Sequence, residues 1–238
     1  MRLWDLHPGY LENEALHREH DELHALLAAI ASGSENDASS HELINWKGSL
    51  PSLALRHALV AEEMLLRGMS HSSPIPYSPS DTPWPASPLA SPGEQLALLR
   101  GTPSGSSSRR IPLPRSAQQI WRQHKYSVMA RDVNAYKEFG PRVARSGPRD
   151  PFDALTGELT SLLWSQPSEG GIRNALLHMW GYLSEHEPRL RTRVPEMPLR
   201  ALAHMIQRGA LRHTQPYLLE QTALSELLVW IPAEGATP

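Results

Sequence analysis

The chain opens MRLWDLHPGYL, and Trp4 and Leu6 are core-type residues only a few positions from the terminal amine. Chain ends generally fray, so an opening built for burial marks the amine itself as a candidate working group. Farther along, ENEALHREHDELHALL carries Glu19, Asp21 and Glu22 together with His17, His20 and His24. Acids along a helix most often form a solvated face, although a carboxylate held beside a reacting group can also move protons. The three histidines fall at i, i+3 and i+7 and so share one helix face, a spacing at which imidazoles can converge on a metal ion. The pattern is not H-E-x-x-H and specifies no fourth ligand, so a surface role is favoured over a metal-dependent hydrolase. A further group comprises Trp121, His124, Lys125, Tyr126, Arg131 and Tyr136. Aromatic and basic side chains interleaved in this way suit base stacking with phosphate contact; the competing reading makes Trp121 core and His124 and Lys125 a solvated face. His178, Trp180 and Tyr182 read as core packing.

The elements that must carry these residues are helical. Leu16, Leu23, Leu26, Leu27 and Ile30 recur at helical spacing, with Glu12 or Asn13 at the start and Gly33 at the stop. PSLALRHALVAEEMLLRG is a second helix, with Pro51 in its first turn and Gly68 beyond its end. EQLALLRG is a short amphipathic helix inside a Pro/Ser-rich region running from Met69 to Arg115. Helical periodicity then resumes from Ser116, and VNAYKEFG is expected to close at Gly140. The segments PFDALTGELTSLLWS, IRNALLHMWGYLSEH, MPLRALAHMIQRGAL and YLLEQTALSELLVW each read as one helix. No run alternates convincingly at period two. The expected fold class is all-α: two helical domains, 1–100 and 116–238, joined by a Pro/Ser-rich linker at 101–115.

Composition narrows the chemistry. The 238 residues include no cysteine, which excludes disulfides, a cysteine nucleophile and zinc–thiolate sites. No stretch approaches a membrane span. The opening lacks the regions of a signal peptide, so a cytoplasmic location is the expectation. The net charge of -2 conceals an uneven distribution. Residues 1–75 carry 5 Lys+Arg against 11 Asp+Glu, whereas residues 100–150 carry 11 against 3. A basic segment of this kind is a candidate phosphate footprint, or simply a solvated helix and linker.

Residues 1–68 resemble the pyrimidine-dimer DNA glycosylase/AP lyase (phage endonuclease V-like) family. The residues carrying the resemblance are MRLWDLHPGYL, the HDEL of the first helix, and LRHALVAEEMLLRG. With the family's N-terminal residue laid on Met1, its catalytic glutamate falls on Glu22 without a gap. The resemblance implies that the α-amine of Met1 attacks C1′ of a damaged nucleotide, displaces the base and forms an imine. Glu22 then helps remove a C2′ proton, and the strand breaks by β-elimination. An α-amine, with an ordinary pKa of about 7.7–8.0, suits that task at neutral pH better than a lysine near 10.4. Arg2 matches a basic position beside the amine that would hold a phosphate. Two arginines that grip DNA in the phage enzyme correspond here to Asp21 and Ala25, a departure that removes two cations. Arg18, His20, His24, Lys47, Arg56 and His57 are the expected substitutes, with Arg109, Arg110, Arg122, Lys125 and Arg131 supplying the rest from the basic segment.

The second half resembles the YbgA-type domain of unknown function, through WRQHKYSVMARDVNAYKEFG, LLHMWGYLSEH and PYLLEQ. Together the two resemblances imply a DNA repair enzyme acting on damaged double-stranded DNA, joined to a helical accessory domain. It would need no metal and no organic cofactor. The alternative is a non-catalytic nucleic-acid-binding or adaptor protein that keeps the fold without lyase activity.

Overall fold

The structure, a computed structural model, describes residues 3–32, 46–76, 84–85, 90–101, 109–190 and 193–232. Met1, Arg2 and the expected stop at Gly33 lie outside the described residues. The fold is all-α, and the described residues contain no strand. The chain divides into two compact units, 1–113 and 114–238.

In the first unit, a 3-10 turn at Pro8–Tyr10 precedes α1 (Asn13–Ser32), α2 (Leu50–Leu66) and α3 (Pro92–Gly101). Helix α1 buries Leu16, Glu19, Leu23 and Leu26, an i, i+3, i+7, i+10 stripe that packs on α2. Helix α2 has Pro51 in its first turn and is stopped just beyond its C-cap by Gly68, whose φ of +75° only glycine adopts freely. There the Met69 N–H bonds the Met64 carbonyl and the Gly68 N–H bonds that of Leu65. This pair of bonds closes the helix in a Schellman motif and turns the chain back. Ile111 packs closely on the turn at Pro8–Tyr10: a Cβ at Gly9 would stand 2.5 Å from Ile111 Cδ1, so a side chain there would displace Ile111. The Ile111 N–H donates to the Gly9 carbonyl at 2.9 Å. Residues 109–111, expected in the linker, therefore pack as part of the first unit.

The second unit is built around α4 (Ala117–Arg131), which starts at Ser116, whose hydroxyl accepts from the Gln119 N–H. Helix α4 packs against α5 (Val133–Ala144), α6 (Asp153–Leu162), α7 (Glu169–Trp180) and α10 (Ala223–Val229). Helix α8 (Leu199–Arg212) covers α7, α10 and the short α9 (Pro216–Leu219). Three expectations differ. IRNALLHMWGYLSEH is helical only as far as Trp180, after which residues 181–186 form turns. Helix α5 runs through Gly140 and Pro141, because Phe139 and Val143 lie one turn apart on its buried face. YLLEQTALSELLVW is two helices, and Thr222, at the start of the second, bonds the Gln123 carbonyl of α4 through both its N–H and its hydroxyl.

Candidate functional site

The opening segment is held to α1 by a buried ion pair. Arg56, on α2, donates through Nε and Nη2 to the two carboxylate oxygens of Glu19, at 2.9 and 2.8 Å. The remaining Arg56 nitrogen, Nη1, donates to the Leu6 carbonyl at 2.7 Å, and the Trp4 N–H donates to Glu19 Oε1 at 2.9 Å. One guanidinium and one carboxylate thus tie together α1, α2 and residues 4–6. Burial pushes the Glu19 carboxyl above the usual carboxylate range, with Arg56 pulling the other way and Glu22 adding to the rise. Asp5 is held separately: its N–H donates to Gln95 Oε1 on α3, and its carboxylate accepts from Trp84 Nε1.

A second buried network braces the far side of the opening segment. Arg67 donates to Glu63, to the Leu11 carbonyl and to the Asn13 side chain. Arg110 grips the same Glu63 carboxylate with two nitrogens, at 2.8 and 2.6 Å. Burial by itself would raise the Glu63 carboxyl, but Arg110 and then Arg67 outweigh it and hold the group at about 2.

Glu22 sits half-buried on α1, one turn beyond Glu19. Helical geometry sets it on one edge of the buried stripe and sets His20 and His24 on the other. Those two histidines meet His57 of α2 and His71 of the segment after Gly68. One ring nitrogen from each of the four lies within 4.8 Å of all the others. His17, expected to share this face, is exposed and takes no part. His57 is buried, and burial together with its histidine neighbours lowers its pKa to about 3. Those of His20 and His71 are also lowered, chiefly by burial.

The expected DNA-contacting cations fall into two groups. Arg18 and Lys47 are exposed. Arg56 and Arg110 face inward with carboxylate partners, His57 is buried, and Arg109 is paired with Glu12 at 2.9 Å. In the second unit, Arg122 is paired with Glu220. Arg131 is interior: it forms a two-point pair with Glu226 at 3.0 Å and donates to the carbonyls of Ser127, Leu163 and Ser165. Its guanidinium joins α4 to α10 and to the end of α6, so a phosphate arriving from solvent cannot reach it. His124 is buried against the Ile120 carbonyl, and burial lowers its pKa to about 4. Trp121 packs with Tyr136 and Phe139, and the Lys125 ammonium lies over the rings of Tyr126 and Tyr217. Of the trio expected in the core, Trp180 is buried, whereas His178 and Tyr182 are exposed. The exposed cations of the basic segment that the motif reading did not single out are Arg100, Arg115, Lys137, Arg145 and Arg149, together with Arg142, which is paired with Glu158. Composition marked only the segment as basic, since burial of individual side chains is not written in local sequence.

Residues 1–76 match the family described as pyrimidine dimer DNA glycosylase, and residues 125–227 match a protein family of unknown function, DUF1722. Neither a curated protein nor a solved structure matches the chain. The N-terminal region is therefore pyrimidine dimer glycosylase-like. No helix among the described residues is long and apolar enough to cross a membrane.

Proposed function

We propose that the first unit is a DNA glycosylase/AP lyase acting on pyrimidine-dimer or abasic sites in double-stranded DNA. The α-amine of Met1 adds to C1′ of the damaged nucleotide and expels the base, or water at an abasic site, giving an imine. Glu22 accepts the C2′ proton, and the 3′ C–O bond breaks by β-elimination. Arg2 holds the adjacent phosphate, with Arg18 and Lys47 as solvent-facing cations.

The observation that carries this reading is the clamp on the opening segment. Trp4 is bonded to Glu19 and Leu6 to Arg56, one helical turn before Glu22. A nucleophilic amine gains most when the chain bearing it is fixed beforehand, because the ordering entropy is then spent in folding rather than in the reaction. The family match over residues 1–76 supports the same chemistry. Borohydride trapping on abasic and UV-irradiated duplexes tests it. A covalent adduct is expected with the native chain, and its loss is expected when the amine is blocked or Glu22→Gln is introduced. No adduct on either substrate refutes the proposal.

A second reading, a nucleic-acid-binding protein that keeps the fold without lyase activity, draws on the charge distribution. Asp21 is exposed where the resemblance places a cation, and Arg56 and Arg110 are neutralised inside. That reading predicts salt-dependent DNA binding with no strand cleavage, and the trapping experiment separates the two.

A further inference from the structure

The four-histidine cluster has the dimensions of a metal site. Four nitrogens at the vertices of a tetrahedron, each about 2.0–2.1 Å from a central zinc-like ion, stand roughly 3.3 Å apart. His57 Nε2 lies 3.2 Å from His24 Nε2 and 3.4 Å from His71 Nε2. The ring centroids are separated by 4.7 Å for His20–His24, 5.1 Å for His20–His57 and 5.1 Å for His20–His71. The pairs His24–His57 and His57–His71 follow at 4.9 and 5.2 Å. These near-equal spacings describe four rings gathered about one point rather than a chain of neighbours.

Hydrogen bonding between the rings accounts poorly for this arrangement. A single Nε2 carries either a proton or an in-plane lone pair, never both. His57 Nε2 nevertheless faces two other Nε2 atoms, so at least one of those contacts lacks a well-directed bond. Among the described residues the buried Nε2 of His20 has no hydrogen-bond partner, a costly state for a polar atom. Its other nitrogen, Nδ1, faces the Asp21 carboxylate at 3.5 Å. A carboxylate behind a histidine ring is the usual way to orient a metal-ligating imidazole.

We propose that His20, His24, His57 and His71 form a tetrahedral site for one divalent transition-metal ion of the zinc class. Imidazole donors suit zinc, copper, iron and nickel, and the tetrahedral spacing favours zinc. Four protein ligands leave no position open for water, so the ion is a fastener rather than a reaction centre. It joins α1 through His20 and His24, α2 through His57, and the returning segment through His71, which the Gly68 turn brings back. The site lies on the edge of α1's buried stripe opposite Glu22, so it stands apart from the lyase chemistry and does not depend on it.

The test uses the full chain, stripped with a chelator and titrated with cobalt(II) chloride, then with zinc chloride. The expected result is the set of visible d–d bands of tetrahedral cobalt, saturating at about one equivalent and displaced by zinc. Zinc should also raise the Tm. His71→Gln, at a partly exposed position outside the helices, should keep native helicity by circular dichroism yet lose both the bands and the zinc-dependent Tm rise. Glu22→Gln should lose neither. Absence of tetrahedral bands in the native chain, an octahedral spectrum, or undiminished binding in a folded His20→Gln/His71→Gln variant would overturn the proposal.

Discussion

Arg56→Met is the most informative single perturbation of the opening segment. The native side chain is 1% exposed, as is that of Glu19. The substitution preserves much of the apolar stem but deletes three donated hydrogen bonds, two to Glu19 and one to the Leu6 carbonyl. The Glu19 carboxylate then stays buried with the Trp4 N–H in place of a cation. Removing one partner of a buried ion pair costs about 3–5 kcal/mol, most of it the burden of the stranded charge. The double variant Arg56→Met/Glu19→Leu removes both charges together and should recover much of that loss, since apolar replacement of a whole buried pair is often close to neutral. It should not recover borohydride trapping, because residues 4–6 have lost both anchors. Because the chain has two compact units, a single unfolding curve need not be two-state. Native-state hydrogen exchange on peptides from α1 and α2 reports the relevant free energies locally. A loss under about 1 kcal/mol in the single variant, or a double variant no more stable than the single, refutes the account.

Acid should expose the second network. Glu63 is held at about 2 against an ordinary 4.5, so its stabilising contribution is fully present above about pH 4.5. It is lost as pH falls from there to about 2, and the shift corresponds to about 3 kcal/mol. Exchange protection in the α2 peptide should fall across that window, and Glu63→Gln should flatten the fall; an unchanged slope counts against the Arg110–Glu63–Arg67 assignment. In the second unit, Gly171→Ala should be severely destabilising, because its Cβ would stand 1.9 Å from the Ala130 carbonyl oxygen, a backbone atom of α4 that cannot swing aside. Overpacking of this kind typically costs about 1–3 kcal/mol or more, and a Tm within 1–2 °C of native would show that α4 and α7 do not pack this closely.

The legible parts of the candidate site were the local ones. Pro51 and Gly68 bound α2 and Ser116 caps α4 as their types predict, because capping and left-handed turns are settled by a few neighbouring residues. Glu22 could be placed on α1 from periodicity, and His20 and His24 could be set on one face by their i, i+4 spacing. Their completion by His57 and His71 was hidden, since no local pattern links α1 to the second helix or to the segment after it. The same limit applied to the cations. Arg18, Arg56, Arg110 and Arg131 are one residue type in sequence, yet Arg18 faces solvent while the others are buried against Glu19, Glu63 and Glu226.

By itself the amino-acid sequence determined the all-α class, most helix bounds and the family likeness of the opening, because helical periodicity, end signals and a motif are local properties of the chain. The tertiary structure decided which charges are spent internally and which histidines meet. Burying a charge demands a partner from whatever element packs against it, and that partner is chosen by the fold, not by distance along the sequence.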